Sequence, residues 1–163
     1  MKKILLISDT HGYIDEKIIK YANKVDEIWH AGDIGDISVT DKLKKIKPLR
    51  GVYGNIDDQK IRTEFPLHNR FICEKVNVWI THIGGYPKRY NPKILEELKS
   101  NPPDLFICGH SHILKVINDK ELDLLHMNPG AIGKYGLHRV RTMIQFEING
   151  KKIENLSVIE FKR

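Results

Sequence analysis

Lys2-Lys3-Ile4-Leu5-Leu6-Ile7-Ser8-Asp9-Thr10-His11-Gly12 is the stretch whose reading decides the fold. Its apolar centre is continuous rather than alternating, as in a strand covered by helices on both faces. It stops at Asp9-Thr10-His11-Gly12, a polar loop built from residues that tolerate turns and cap helices. The same succession of apolar run and polar loop returns along the chain. Glu27 to Ala31 leads into Gly32-Asp33, Leu49 to Tyr53 into Gly54-Asn55, Val76 to Ile80 into Thr81-His82, and Leu105 to Cys108 into Gly109-His110-Ser111-His112. In an open α/β sheet the carboxyl ends of the strands gather along one edge, so side chains spread over about a hundred positions can converge on one crevice.

Between these runs the spacing becomes helical. Ile18, Ile19, Tyr21 and Ala22 recur among lysines from Asp15 to Lys24, Ser38 is placed to cap a helix reaching about Lys47 before Pro48, and Asn91 to cap one reaching about Lys99. The first third therefore reads βαβαβ, the signature of a parallel sheet. Arg70 to Cys73 and Val76 to Thr81 flank Glu74-Lys75 as a hairpin. The remainder is β-rich, with Leu114 to Ile117 and Leu122 to His126, then Val140 to Ile148 and Ile153 to Phe161 around Asn149-Gly150. So many strands suit two packed sheets better than one very wide one.

The composition fits one compact domain over residues 1–163: 40% of the residues are hydrophobic and no apolar run nears membrane-spanning length. The N-terminal apolar run is too short for a signal-peptide core, so a cytoplasmic location without membrane association is expected. Cys73 and Cys108 fall inside expected strands and read as buried free thiols, although Cys108, two residues before His110, also stands where it would sense oxidation. The formal charge of +6 comes largely from lysines such as Lys17, Lys20, Lys24, Lys42, Lys44, Lys45 and Lys47, spaced as solvated helix faces. No RNA-binding aromatic motif accompanies them, so nucleic acid is a disfavoured partner, while a basic surface still concentrates phosphate-bearing substrates.

Each polar loop alone has a plain structural explanation as a turn, a helix cap or a hydrogen-bonded core histidine. Their conjunction does not. Asp9, His11, Asp33, Asn55, His82, His110 and His112 offer carboxylate, amide oxygen and imidazole without a thiolate, the set preferred by hard and borderline divalent ions. Seven ligands exceed what one ion takes while keeping a position open for substrate; they suit two ions sharing a carboxylate, roughly 3.5 to 4 Å apart.

The order Asp-x-His, Gly-Asp, Gly-Asn, Thr-His, Gly-His-x-His resembles the calcineurin-like metallophosphoesterase superfamily, and the short chain resembles its small YfcE-like phosphodiesterase branch. The resemblance extends from Ser8 to the turn Asn128-Pro129-Gly130. It implies a four-layer α/β/β/α sandwich with two central mixed β-sheets and a metal site at the carboxyl ends of the strands. It also implies that Asp9, His11 and His112 hold one divalent ion, that Asn55, His82 and His110 hold a second, and that Asp33 bridges them. Mn²⁺ is the first expectation for both ions, with Fe, Zn, Ni and Co behind it. Asn55 and His82 carry the catalytic assignment, and the implied chemistry is attack of a metal-bridging hydroxide on phosphorus, with Asn55 also donating to a phosphate oxygen.

One departure is informative. Many members of the superfamily place His directly after the Gly-Asn pair, where it protonates the leaving oxygen; here Gly54-Asn55 is followed by Ile56, which has no proton to give. The expected activity is therefore hydrolysis of a small phosphodiester, with weak action on monoesters. His68, His126 and His138 are the alternatives for a proton donor, and Asp57 either orients a neighbouring ligand or caps a turn. Further substrate contacts are expected from Arg89 in the Gly84–Tyr90 loop and from His138 and Arg139 in the Gly133–Arg139 loop, beside Asn55 itself. The other readings are a phosphomonoesterase or nuclease of the same fold, and, from another class, a protein-binding scaffold without catalysis such as the retromer-coat subunit of this fold.

Overall fold

The computed structural model describes residues 1–163. The chain opens with β1 (Lys2–Ile7), α1 (Glu16–Ala22), β2 (Glu27–His30), α2 (Ile37–Lys44), β3 (Leu49–Gly51) and α3 (Gln59–Glu64). A hairpin of β4 (His68–Cys73) and β5 (Val76–Thr81) follows, then a small ladder of β6 (Gly85–Tyr86) and β7 (Arg89–Tyr90). Next come α4 (Pro92–Ser100), β8 (Leu105–Ile107), β9 (Leu114–Asp119), β10 (Leu124–Pro129), β11 (Val140–Asn149) and β12 (Lys152–Lys162).

Two five-stranded sheets result, in the orders β12-β11-β1-β2-β3 and β4-β5-β8-β10-β9. Each has a parallel centre, β1-β2-β3 in one and β5-β8-β10 in the other, extended by antiparallel strands. The apolar residues sort into three layers of packing. Ile4, Leu6, Trp29 and Phe146 of the first sheet meet Val78, Ile80, Leu105 and Ile107 of the second. Leu5, Ile7 and Ile28 point the other way, onto Ile18, Val39, Leu43 and Ile61 of α1, α2 and α3. Trp79 and Phe106 pack outward onto Ile94 and Leu98 of α4. This alternation explains the apolar run Ile4 to Ile7: even positions fill the space between the sheets and odd positions hold the helices, giving the four layers α/β/β/α.

The helix starts show how local chemistry sets the boundaries. Asp15 caps α1, accepting from Ile18 N–H at 3.0 Å. The cap of α2 is Asp36 rather than Ser38: its carboxylate accepts from Ser38 N–H at 2.8 Å, and the helix ends at Lys44 rather than Lys47. Asn91 caps α4 through Lys93 N–H. The short helix α3, capped by Asp58, has one buried residue, Ile61, too little periodicity to announce it in the sequence. The strand expected over Leu122 to His126 instead spans Leu124–Pro129, because Asp119 accepts from Glu121 and Leu122 N–H and folds those residues into the turn.

Candidate metal centre

Five loops at the carboxyl ends of β1, β2, β3, β5 and β8 meet where the two sheets come together. Asp9, His11 and His112 bring one ligand atom each within 4.8 Å of one another, and Asp33, His82 and His110 do the same. The two trios are contiguous. Asp33 Oδ2 lies 3.2 Å from His82 Nε2 in its own trio and 3.5 Å from His11 Nε2 in the other. Asp9 Oδ1 lies 3.2 Å from His112 Nε2 and 3.8 Å from both His11 Nε2 and His82 Nε2. Asn55, exposed at the rim, accepts from His110 Nδ1 through its Oδ1 at 3.0 Å.

The backbone at these positions is unusual. Asp9, His11, Asp33, His110 and His112 have φ of 54°, 45°, 55°, 72° and 61°, in the left-handed region where a non-glycine residue gives up about 1 kcal/mol. Asp and His tolerate it better than branched residues do. Hydrogen bonds between the loops hold them there: Asp9 N–H donates to Gly32 O at 3.0 Å, His11 N–H to Asp33 O at 3.0 Å, and Gly109 N–H to His82 O at 3.0 Å. The glycine of the Gly54-Asn55 motif is required by close approach, since a Cβ there would land on Asp33 Oδ1 and the Asp33 backbone. At Gly109 a Cβ would strike Ser8 Oγ and come within 2.8 Å of Asp9 Oδ2.

Beneath the ligands lies a layer of buried support. Ser8 Oγ donates to Asp9 Oδ2 at 2.6 Å and His110 N–H to the same oxygen at 3.2 Å, which turns Oδ1 toward the centre. His82 Nδ1 donates to Ala31 O at 2.7 Å, so the imidazole presents Nε2 inward. Asp57 accepts from Gly54 N–H at 2.7 Å, Gly35 N–H at 2.8 Å and Ile34 N–H at 3.1 Å. It thus ties the Asp33 loop to the Asn55 loop; the helix cap is its neighbour Asp58. Thr10 Oγ1 donates to Ile34 O and receives Nε2–H of the fully buried His30, whose Nδ1 accepts from Gly32 N–H.

The electrostatics describe a site made for cations. Burial pushes the Asp9 carboxyl up, but the nearby imidazoles of His11 and His112, the charge of His82 and the Ser8 hydroxyl outweigh it and hold it far below the usual carboxylate range. At Asp33 burial is again opposed, by the adjoining imidazole and charge of His82, and the result is a lowered value. Burial pulls His82 down, but the adjoining Asp33 carboxylate and the charge of Asp9 raise it above an ordinary histidine. Asp9 Oδ1, His11 Nε2 and His82 Nε2 are buried and lack any well-formed hydrogen bond. Inward-facing lone pairs without donors are what divalent cations satisfy, so the residues present fit such ions.

The other expected residues divide. His138 stands beside the cluster, its ring edge-on to His112 at 5.2 Å, with Nε2 donating to Gly133 O at 2.8 Å. Arg139 is exposed. Arg89 is also exposed, in a groove with Lys99, Asp119 and Leu122 that shares no lining residue with the groove at Asn55 and His82. His126 is fully buried, with Nε2 on Gly85 O and near Cys108 Sγ, so it has no path to a leaving group. Cys73 and Cys108 are free and buried, and burial pushes the Cys108 thiol up to about 12, far from a thiolate that would sense oxidants. Sequence reading missed Tyr53 and Arg62, which line the groove at Asn55; no spacing rule marks them.

Two mixed sheets between helices, with carboxylates and imidazoles turned inward at the strand ends, define an α/β sandwich with a site suited to divalent cations. The chain belongs to the calcineurin-like phosphoesterase superfamily, whose domain model matches residues 1–151. It is 31% identical over 134 residues to a probable metallophosphoesterase of Methanocaldococcus jannaschii, covering 77% of this chain and 66% of that protein, so the chain spans just under two thirds of that relative. Its fold is similar to Vps29 of Chaetomium thermophilum, with a TM-score of 0.77, 19% identity, and 99% and 97% of the two chains covered. It is also similar to a structure described as a novel archaeal phosphodiesterase, with a TM-score of 0.70, 22% identity, and 96% and 99% covered. No helix is long and apolar enough to cross a membrane.

Proposed function

We propose that the chain is a phosphodiesterase that works with two divalent metal ions, Mn²⁺ first among them, on a small phosphodiester in the cytoplasm. The observation that carries this reading is Asp33 Oδ2, within 3.5 Å of imidazole nitrogens belonging to both trios, as a bridging carboxylate requires. When bound, such ions acidify water and offset charge on the phosphoryl group. Asp9, His11 and His112 serve as ligands on one side, and His82, His110 and Asn55 on the other. Asn55 has an amide N–H₂ free to donate to a phosphoryl oxygen as charge builds there. The buried imidazole of His82, fixed by Ala31 O, keeps its ligand atom in place without reorganisation.

The preference for diesters rests on the rim. Ile56, 48% exposed beside Asn55, offers no proton to a departing alkoxide. Grooves open on both sides of the cluster, one at Asn55 and His82 and one at His110, His112 and His138, as a phosphorus with two ester arms needs. Free, buried Cys73 and Cys108 fit a reducing compartment. The test combines metal analysis with turnover of an aryl diester, an aryl monoester and an alkyl monoester after chelation and metal return. Two ions per chain and fastest turnover of the aryl diester are expected. Fastest turnover of the alkyl monoester rejects the diester reading, and failure to take up metal favours the scaffold.

A further inference from the structure

The two grooves beside the cluster differ in charge. The one at His110, His112 and His138 holds no Lys or Arg among its lining residues. The one at Asn55 and His82, a cavity of about 310 Å³, takes in Arg62 and Lys93 and contains no Asp or Glu. Neither cation has a carboxylate within ion-pair distance. Arg62 is held by the loop that carries Asn55: its Nε donates to Asp57 O at 2.7 Å and Nη2 to Asn55 O at 3.2 Å, while the guanidinium lies over the Tyr53 ring at 4.7 Å. Its remaining N–H groups are unclaimed. A fixed, unpaired guanidinium beside an aromatic ring is suited to a planar or phosphorylated ligand.

Apolar surface lines the same groove. Leu67 and Ile83 are 49% and 40% exposed there, unusual for large side chains this close to a polar centre. The volume lies at the lower end of the roughly 300–1,000 Å³ of small-molecule pockets, enough for one nucleoside-sized group and too little for a strand of nucleic acid. An apolar wall, an aromatic face and two uncompensated cations together select a flat body that ends in an anion.

We infer that this groove is a subsite for an ester arm of nucleotide type carrying a second phosphate, so the preferred substrate is a nucleoside phosphodiester with a further phosphate bound by Arg62 and Lys93. The inference rests on the phosphodiesterase reading and narrows its substrate class. Two substrates with one leaving group test it, thymidine 5′-(4-nitrophenyl phosphate) with and without a 3′-phosphate, on metal-loaded protein. The 3′-phosphorylated substrate should have kcat/KM about tenfold higher, a gap expected for one charge-assisted contact. Lys93→Glu and Arg62→Gln, each checked for an unchanged melting temperature, should bring the ratio close to one. A wild-type ratio near one, or a ratio that survives both substitutions, overturns the inference while leaving the phosphodiesterase reading intact. If no diester is hydrolysed, that reading fails, and calorimetric binding of adenosine 3′,5′-bisphosphate decides the subsite alone: loss of binding in Lys93→Glu supports it, and no binding to the wild type overturns it.

Discussion

His30 sets an acid limit on the scaffold beneath the cluster. It is fully buried in β2, donates to Thr10 Oγ1 and accepts from Gly32 N–H, so it supports the loops of both Asp9 and Asp33 in its neutral form. Burial is the main cause that pulls its pKa down to about 4, with the charge of His82 adding to it and those of Asp9 and Asp33 opposing. An unfolded histidine titrates near 6.5. The unfolded chain therefore takes up a proton first as pH falls, and the stability that neutral His30 supplies is complete above about pH 6.5 and lost progressively toward pH 4. The whole gap corresponds to about 3 kcal/mol, of which about 2.5 kcal/mol is gone by pH 4.5. Urea unfolding of chelated wild type and His30→Gln from pH 7 to 4.5 measures it, because Gln keeps a donor and an acceptor but does not titrate. Other histidines with lowered values, His68, His110, His126 and His138, are common to both proteins and cancel in the difference. Curves that run parallel within about 0.5 kcal/mol across that range would refute the reasoning.

Three other outcomes are expected. Asp57→Ala leaves the N–H groups of Ile34, Gly35 and Gly54 without their acceptor and should destabilise the fold by about 3 kcal/mol in denaturant titrations, with metal affinity falling in parallel. Ile56→His adds a donor beside Asn55 and should raise alkyl monoester turnover relative to aryl diester by about tenfold to a hundredfold; an unchanged ratio removes the proton donor from the account of specificity. The carboxylates of Asp33 and Asp9 raise the pKa of His82, so metal binding in mildly acidic buffer should displace a proton from it, while Asp9 and Asp33, both lowered, release none. Calorimetry in buffers of different ionisation heat reads the release and histidine NMR titration of the metal-free protein assigns it; a His82 imidazole that loses its proton below the ordinary histidine range contradicts the raised value.

The parts legible in the sequence are those where a short local pattern has one physical cause. Ile4 to Ile7 is apolar at every position because both faces of β1 are covered, and that alone implies helices outside and a second layer inside. The candidate ligand residues are legible because each closes such a strand, and strand ends in this architecture share one edge. Asp36 was overlooked as a cap because Ser38 offered the same chemistry two positions later. Arg89 looked close to the cluster because it follows His82 by few residues, yet the β6–β7 ladder folds back and leaves it in another groove. Tyr53 and Arg62 were invisible because they meet through α3, a helix with one buried residue and no periodicity to declare it.

The strain in the ligand loops bears on what the cations do for this protein. Left-handed backbone at five ligand residues amounts to about 5 kcal/mol, comparable with the whole stability of a small domain. Cations do not need to impose it. Asp9, His11 and Gly109 are held through N–H bonds to the neighbouring ligand loops, and Asp57 ties two loops with its carboxylate. These contacts run between neighbouring strand ends within each sheet, His110 N–H to Asp9 Oδ2 and His82 Nδ1 to Ala31 O join one sheet to the other, and the sheets are fixed by the core around Trp29, Ile80 and Ile107. The ligand geometry is thus prepared by packing and backbone hydrogen bonds, in contrast to small zinc-dependent folds that assemble only around their ion. What packing leaves unbalanced is charge: the Asp9 and Asp33 carboxyls, both with lowered pKa, share one buried cluster, and their charges raise the pKa of His82 beside them. Divalent cations held by these residues would relieve the repulsion and meet donors already in position, so their binding free energy would go into affinity rather than into building the site.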